Sequence, residues 1–121
     1  MARVQRLLKA TVNSWHGLIA AAQTEAAFRQ ELALLIVGAP LAFLVTGQAG
    51  ERFALIAVLV FLLVVELLNT AIEKLADCVS RDIDPAIKRV KDMGSAAVGV
   101  SLVAAGAVWI WVIAGHIVRL R

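Results

Sequence analysis

Glu66, Asn69, Glu73 and Asp77 follow one another at separations of 3, 4 and 4 residues, in a sequence otherwise rich in aliphatic side chains. On an α-helix their directions are about 0°, 300°, 340° and 20°, an arc of roughly 80°. The run leading into them, Phe53 to Val65, is uncharged, so Glu66 falls inside an apolar helix. A charge at mid-membrane costs about 2.5–3.5 kcal/mol and persists only with a partner or a role. Three carboxylates and a carboxamide on one stripe call for cations. Oxygen-only ligands suit magnesium, which takes one or two carboxylates and completes its shell with water and substrate phosphates. The alternative is that Glu66 and Asn69 are interhelical hydrogen-bonding glue, with Glu73 and Asp77 a solvated helix end.

Two further groups stand where they could meet this stripe. Glu25, Arg29 and Glu31 precede the first long apolar run; taken alone, Glu25 and Arg29 are an i,i+4 surface pair. Lys91, Asp92 and Ser95 precede the last run and are accompanied by Gly94, Ala96 and Ala97, small residues that let another helix approach. Lys91 would be a point charge for phosphate, or a lysine snorkelling to the headgroups.

The elements that must carry these residues follow from composition and apolar runs. The 121-residue chain is 61% hydrophobic and 17% charged, against about 45–50% and about 25% in soluble domains. That composition excludes a disordered chain. A net charge of +3 without a basic stripe excludes a nucleic-acid binder. The pattern predicts one domain, residues 1–121, of an all-α membrane protein. Its expected parts are an N-terminal amphipathic surface helix over 1–28 and three transmembrane helices over 30–47, 53–72 and 93–118. A cytoplasmic loop and helix start over 73–90 join the last two. Each run approaches the roughly 20 residues needed to cross the hydrocarbon. Trp109 and Trp111 fall toward one end of the third, in the position of an aromatic belt, and His116 beside them reads as interfacial.

Lys and Arg orient the spans. Residues 1–31 carry 4 (Arg3, Arg6, Lys9, Arg29) and residues 73–95 carry 5 (Lys74, Arg81, Lys88, Arg89, Lys91). The 46–52 loop has only Arg52, and the tail has Arg119 and Arg121. The excess places the N-terminus and the second loop in the cytoplasm and the C-terminus outside.

In the surface helix, Val4, Leu7, Leu8, Val12, Trp15, Leu18, Ile19 and Ala22 fall within an arc of about 140°, while Arg6, Lys9, Asn13 and His16 lie opposite. Such a helix suits the plane of the inner leaflet, and the spread of its charges without a following apolar core argues against a cleavable signal. Asp84-Pro85 reads as a helix start, an acidic N-cap followed by proline at the first helical position. Cys78 is the single cysteine and reads as a small unremarkable side chain.

Acids at one depth on three helices, with a lysine, allow an enzyme that acts on a lipid headgroup with a phosphorylated cosubstrate. They equally allow a small cation carrier, or a structural oligomer without catalysis. No P-loop and no protein-kinase motif is present. Three spans are too few to enclose a site, so sites shared in a homo-oligomer are expected.

Three segments carry a resemblance. Glu25-Ala-Ala-Phe-Arg-Gln-Glu31, Glu66-Leu-Leu-Asn69-Thr-Ala-Ile-Glu73 and Lys91-Asp-Met-Gly-Ser-Ala-Ala97 resemble, in order and spacing, the prokaryotic diacylglycerol kinase family, from about Arg6 to the third span. The resemblance implies a homotrimeric bundle in the bacterial inner membrane. It implies transfer of the γ-phosphoryl of Mg-ATP to the hydroxyl of diacylglycerol, giving phosphatidic acid, at sites shared between subunits. Carried over, Glu66 resembles the general base, and Glu25 and Glu73 the metal ligands. Asn69 resembles the residue that orders the catalytic carboxylate and phosphates. Lys91 and Asp92 resemble nucleotide contacts and Ser95 a lipid contact. The implied nucleotide set extends to Arg6, Asn13, Asp82 and Asp84, and the implied substrate set to Trp15, Arg29 and Glu31. Thr24 stands where a well-known member of the family has Asn, and Cys78 where an Arg is common after the second motif. A subgroup similar to this family uses undecaprenol, which stays an alternative substrate.

Overall fold

The computed structural model describes residues 1–82 and 84–119. Ile83, inside the 82–84 stretch assigned to nucleotide, and Arg121, counted in the tail charge, lie outside the described residues. The described residues form four helices and no strand: α1 (Ala2–Thr24), α2 (Ala26–Val45), α3 (Ala49–Val79) and α4 (Pro85–Arg119).

The last three are long and apolar enough to cross a membrane. At 1.5 Å per residue, α3 and α4 run for about 46 and about 52 Å, well beyond a hydrocarbon core of about 30 Å. They therefore carry residues 73–79 and 85–92 as rigid extensions of the spans. The helices do not begin where the apolar runs do: α2 starts at Ala26 and α4 at Pro85, because backbone hydrogen bonding continues through polar residues once a helix is nucleated.

α3 is the axis of the fold, packed along α4 on one side and α2 on the other, whereas α2 and α4 barely meet. Its buried residues include Leu55, Leu59, Leu62, Glu66 and Asn69, a 4-3-4-3 spacing that keeps one seam facing its neighbours. The seam begins in leucine and continues in polar side chains, so Glu66 and Asn69 occupy core positions. On α4 the facing stripe is Gly94, Ser101, Ala105 and Val112.

Two apolar clusters lie along this seam. One joins Ala21, Phe28 and Leu63, fixing the α1–α2 junction to α3. The other joins Ala42, Leu55 and Val112, with Val108 and Trp109 against it. Trp109 turns inward and donates its indole N–H to the Leu55 carbonyl at 3.2 Å, while Trp111 is 73% exposed. The two tryptophans placed together in an aromatic belt thus face different surroundings. Between the clusters Gly38 lets α2 approach, and a Cβ there would stand 2.5 Å from Leu59 Cδ1. Pro40 lies inside α2 without ending it, as is tolerated in bundled spans.

The α2–α3 turn is tied by its own side chains. Thr46 donates to Glu51 Oε1 at 2.6 Å. Arg52 Nε donates to the Thr46 carbonyl at 2.8 Å, and its guanidinium lies 4.5 Å from the Phe43 ring centroid. Arg119 from the end of α4 reaches Glu51 at 3.4 Å.

Candidate active site

At the opposite end of the bundle, Glu25 is the single residue between α1 and α2, with extended backbone at φ −119° and ψ 112°. Its N–H closes the last turn of α1 on the Ala21 carbonyl at 2.9 Å, and its own carbonyl accepts the Arg29 N–H that opens α2 at 3.2 Å. Arg29 folds its guanidinium back onto the Ala22 carbonyl at 2.8 Å, which caps α1. Phe28 is buried beneath this corner. The corner therefore holds Glu25 at a fixed place beside α3.

One turn beyond Phe28, Glu31 is 7% exposed, and its Oε2 is enclosed with no hydrogen-bond partner among the described residues. It faces α3, where its carboxylate interacts with that of Glu66. Glu66, 5% exposed, is in turn within electrostatic reach of Glu73 and Glu25. Three carboxylates, from α2, α3 and the corner between α1 and α2, thus lie within electrostatic reach of Glu66. Like charges in a poorly hydrated place repel strongly, so the cluster is built to receive positive charge.

Asn69, 8% exposed, lies one turn from Glu66 and donates from Nδ2 to Glu73 Oε1 at 3.3 Å. Its Oδ1 is sealed from solvent and without a partner among the described residues. That oxygen lies against Gly94 of α4, where a Cβ would overlap it. An enclosed, unpartnered carbonyl oxygen costs about 1–3 kcal/mol, and it adds one more hard donor to the carboxylates. Every donor here is oxygen, which fits magnesium. Among the described residues no three Asp, Glu, His or Cys side chains stand together as a complete ligand set. Glu25 and Glu73 would hold part of the shell, with phosphates and water supplying the rest.

The other expected residues are placed as follows. Lys91 reaches across from α4 to Asp77 Oδ1 at 2.5 Å. Asp77 stands beyond the apolar stretch of α3, and the hydrogen bond from Lys91 holds its carboxyl below the usual carboxylate range. Asp92 pairs with Lys88 at 2.7 Å on the exposed side of α4. Asp84 accepts the Ala86 N–H at 2.8 Å as the N-cap of α4, and the Asp82 N–H bonds the Ser80 hydroxyl at 3.2 Å. Ser95 is exposed near the start of the third span. Arg6, Asn13 and Trp15 are exposed along α1, and within one chain they are not brought to the carboxylate cluster. Asp77, on the acidic stripe in sequence, is drawn to Lys91 rather than toward Glu66.

Two residues at the site were not singled out from sequence. Lys74, which entered only as one of the cytoplasmic charges, lies 3.6 Å from Glu25 Oε1 and donates to Thr24 Oγ1 at 3.0 Å. Thr70, buried one turn past Glu66, gave no signal beyond its place in the seam.

A family model described as prokaryotic diacylglycerol kinase matches residues 12–113. The chain belongs to that family. Similar proteins named diacylglycerol kinase include one from Pseudomonas aeruginosa, 46% identical over 112 residues that span 93% of this chain and 91% of that protein. The Escherichia coli K12 protein of the same name is 37% identical over 111 residues, 92% of this chain and 91% of its own length. One from Haemophilus influenzae is 34% identical over 103 residues, 85% of this chain and 87% of its own. The matched region of this diacylglycerol kinase family member contains the carboxylate cluster, the corner at Glu25 and the Lys91–Ala97 segment.

Proposed function

We propose that this chain is a membrane-embedded diacylglycerol kinase that uses ATP and magnesium and releases phosphatidic acid. The observation that supports the reading most is Glu66: a buried carboxylate in a leucine seam, within electrostatic reach of Glu25, Glu31 and Glu73, with Asn69 one turn away. A buried acid of this kind suits removal of a proton from an alcohol.

In this mechanism Glu66 takes the proton of the lipid hydroxyl as that oxygen attacks the γ-phosphorus. The bond between the γ-phosphorus and the oxygen bridging to the β-phosphate breaks, and ADP leaves with the electron pair. Magnesium, held by Glu25 and Glu73, would offset the phosphate charge. Asn69 holds Glu73 through its amide N–H and fixes where that carboxylate points. The resemblance assigns Lys91 and Asp92 to the nucleotide, and Ser95, Arg29, Glu31 and Trp15 to the lipid. Such transfer depends on positioning and charge neutralisation more than on covalent chemistry.

Arg6 and Asn13, which one chain does not bring to the cluster, would reach a nucleotide in a homotrimer whose sites are shared, and Asp82 and Asp84 are assigned to the same nucleotide. α1, lying in the inner leaflet, would bring Arg6 and Asn13 to the headgroup level. The N-terminus and the α3–α4 loop are then cytoplasmic in a bacterial inner membrane, and the C-terminus is outside.

The test offers diacylglycerol and undecaprenol side by side in mixed micelles with labelled ATP and magnesium. Labelled phosphatidic acid is the expected product, lost in Glu66→Gln by about 100-fold or more. Label appearing in undecaprenyl phosphate instead would move the substrate to the polyprenyl alcohol. Full activity of Glu66→Gln would remove it as the base.

A further inference from the structure

We propose that Lys74 is a built-in competitor for the divalent ion at Glu25, setting how tightly this kinase holds its metal. The inference rests on the reading of Glu25 as a metal ligand and names a residue that acts through it.

Glu25 forms one ion pair among the described residues, and its partner is Lys74, with Nζ 3.6 Å from Oε1. The neighbouring guanidinium of Arg29 is spent on the Ala22 carbonyl at 2.8 Å. The ammonium also has a second place to go. It donates to Thr24 Oγ1 at 3.0 Å, and that hydroxyl already donates to the Ala20 carbonyl at 2.7 Å, which leaves its lone pairs turned to the lysine. Thr24 and Glu25 are adjacent at the corner, while Lys74 follows Glu73 on α3. The ammonium is therefore ion-paired with one of the two carboxylates assigned to the metal, on the residue that follows the other in sequence.

A carboxylate paired with a lysine ammonium offers a divalent ion less charge, and a positive charge within several ångströms of the ion repels it. When the ion takes Glu25, Lys74 retains Thr24 as its acceptor, so release does not strand a buried charge. Lys74 is 51% exposed at its side chain, so solvent screens the effect and keeps it modest. Lys74 is thus a positioning residue: it touches neither substrate nor reacting atoms in this arrangement and acts by occupying Glu25.

The test is direct binding of Mn2+ to the full-length protein in detergent without nucleotide, followed by electron paramagnetic resonance of the free ion. Lys74→Ala is expected to bind Mn2+ about two- to five-fold more tightly than the parent at low ionic strength. The gain should collapse in about 0.5 M salt, where screening is short-ranged. Lys74→Arg should stay near the parent. In a Glu25→Gln background Lys74→Ala should give no further gain. A purely structural tether predicts the opposite sign, since freeing the corner would loosen Glu25. Unchanged or weaker binding by Lys74→Ala, with Glu25→Gln weakened, overturns the proposal and leaves the ligand assignment standing. Parent-like binding by Glu25→Gln overturns the ligand assignment and the proposal with it.

Discussion

The side-chain oxygen of Asn69 lies against the backbone of Gly94 so closely that no side chain fits between α3 and α4 at that crossing. The same Asn69 holds Glu73 through its Nδ2. A glycine on α4 therefore sets the orientation of a carboxylate on α3.

Gly94→Ala tests that chain of contacts. A methyl group there must push Asn69 aside, and overpacking of this kind costs about 1–3 kcal/mol. Kinase turnover should fall at least about 10-fold, because misplacement of about 1 Å at a catalytic centre has effects of that order or larger. Assays of turnover beside thermal melts in detergent check it, and parent-like values in both would show that the crossing yields easily.

The Asp77–Lys91 link should show in the pH dependence of stability. The folded carboxyl of Asp77 titrates below its unfolded value, so the link contributes wherever the unfolded group is ionised and is lost as pH falls through the folded value. Melting temperatures of the parent minus Asp77→Asn should differ by a constant amount between about pH 5 and 8 and converge below about pH 4. A difference that grows on acidification would contradict the pairing.

Removing the N-cap of α4 should fray it locally. Asp84→Ala loses the acceptor for the Ala86 N–H, at a cost of about 0.5–2 kcal/mol. Amide exchange at Ala86, Ile87 and Lys88 should quicken while the core of α4 near Ala105 stays protected. Uniform quickening would mean that the cap holds the whole helix.

Trp109→Phe keeps most of the packing against Leu55 and Val112 but deletes the indole N–H bond to the Leu55 carbonyl. Stability should drop by about 0.5–1.5 kcal/mol, read as a shifted midpoint in detergent unfolding with kinase activity retained. A loss of activity at full stability would connect this far cluster to the site.

How much of this was legible in the sequence depended on whether a residue broke a local pattern. Glu66 and Asn69 did, because polar side chains at leucine positions of one stripe stand out against their neighbours. Asp84-Pro85 did, because capping is decided within three residues. The contact of Lys74 with Glu25 gave no such sign: it joins residues far apart in sequence and exists only because the corner at Glu25 lies beside that turn of α3. Lys91 and Asp77 meet for the same kind of reason, across the α3–α4 crossing. The inward turn of Trp109 was hidden because α4 is apolar on nearly all sides, so its sequence marks no inner face.

The tight connection from Thr46 to Gln48 bears on how the protein enters a bilayer. Glu51 and Arg52 follow in the first turn of α3, with opposite charges, and Arg52 is folded back onto the carbonyls of Phe43 and Thr46. A chain that must carry this tip through hydrocarbon carries almost no net charge and few unbonded peptide groups, which lowers the barrier to passage. The tip thus meets most of its own charges and hydrogen bonds without α4, and Arg119 adds one further contact to Glu51 at 3.4 Å.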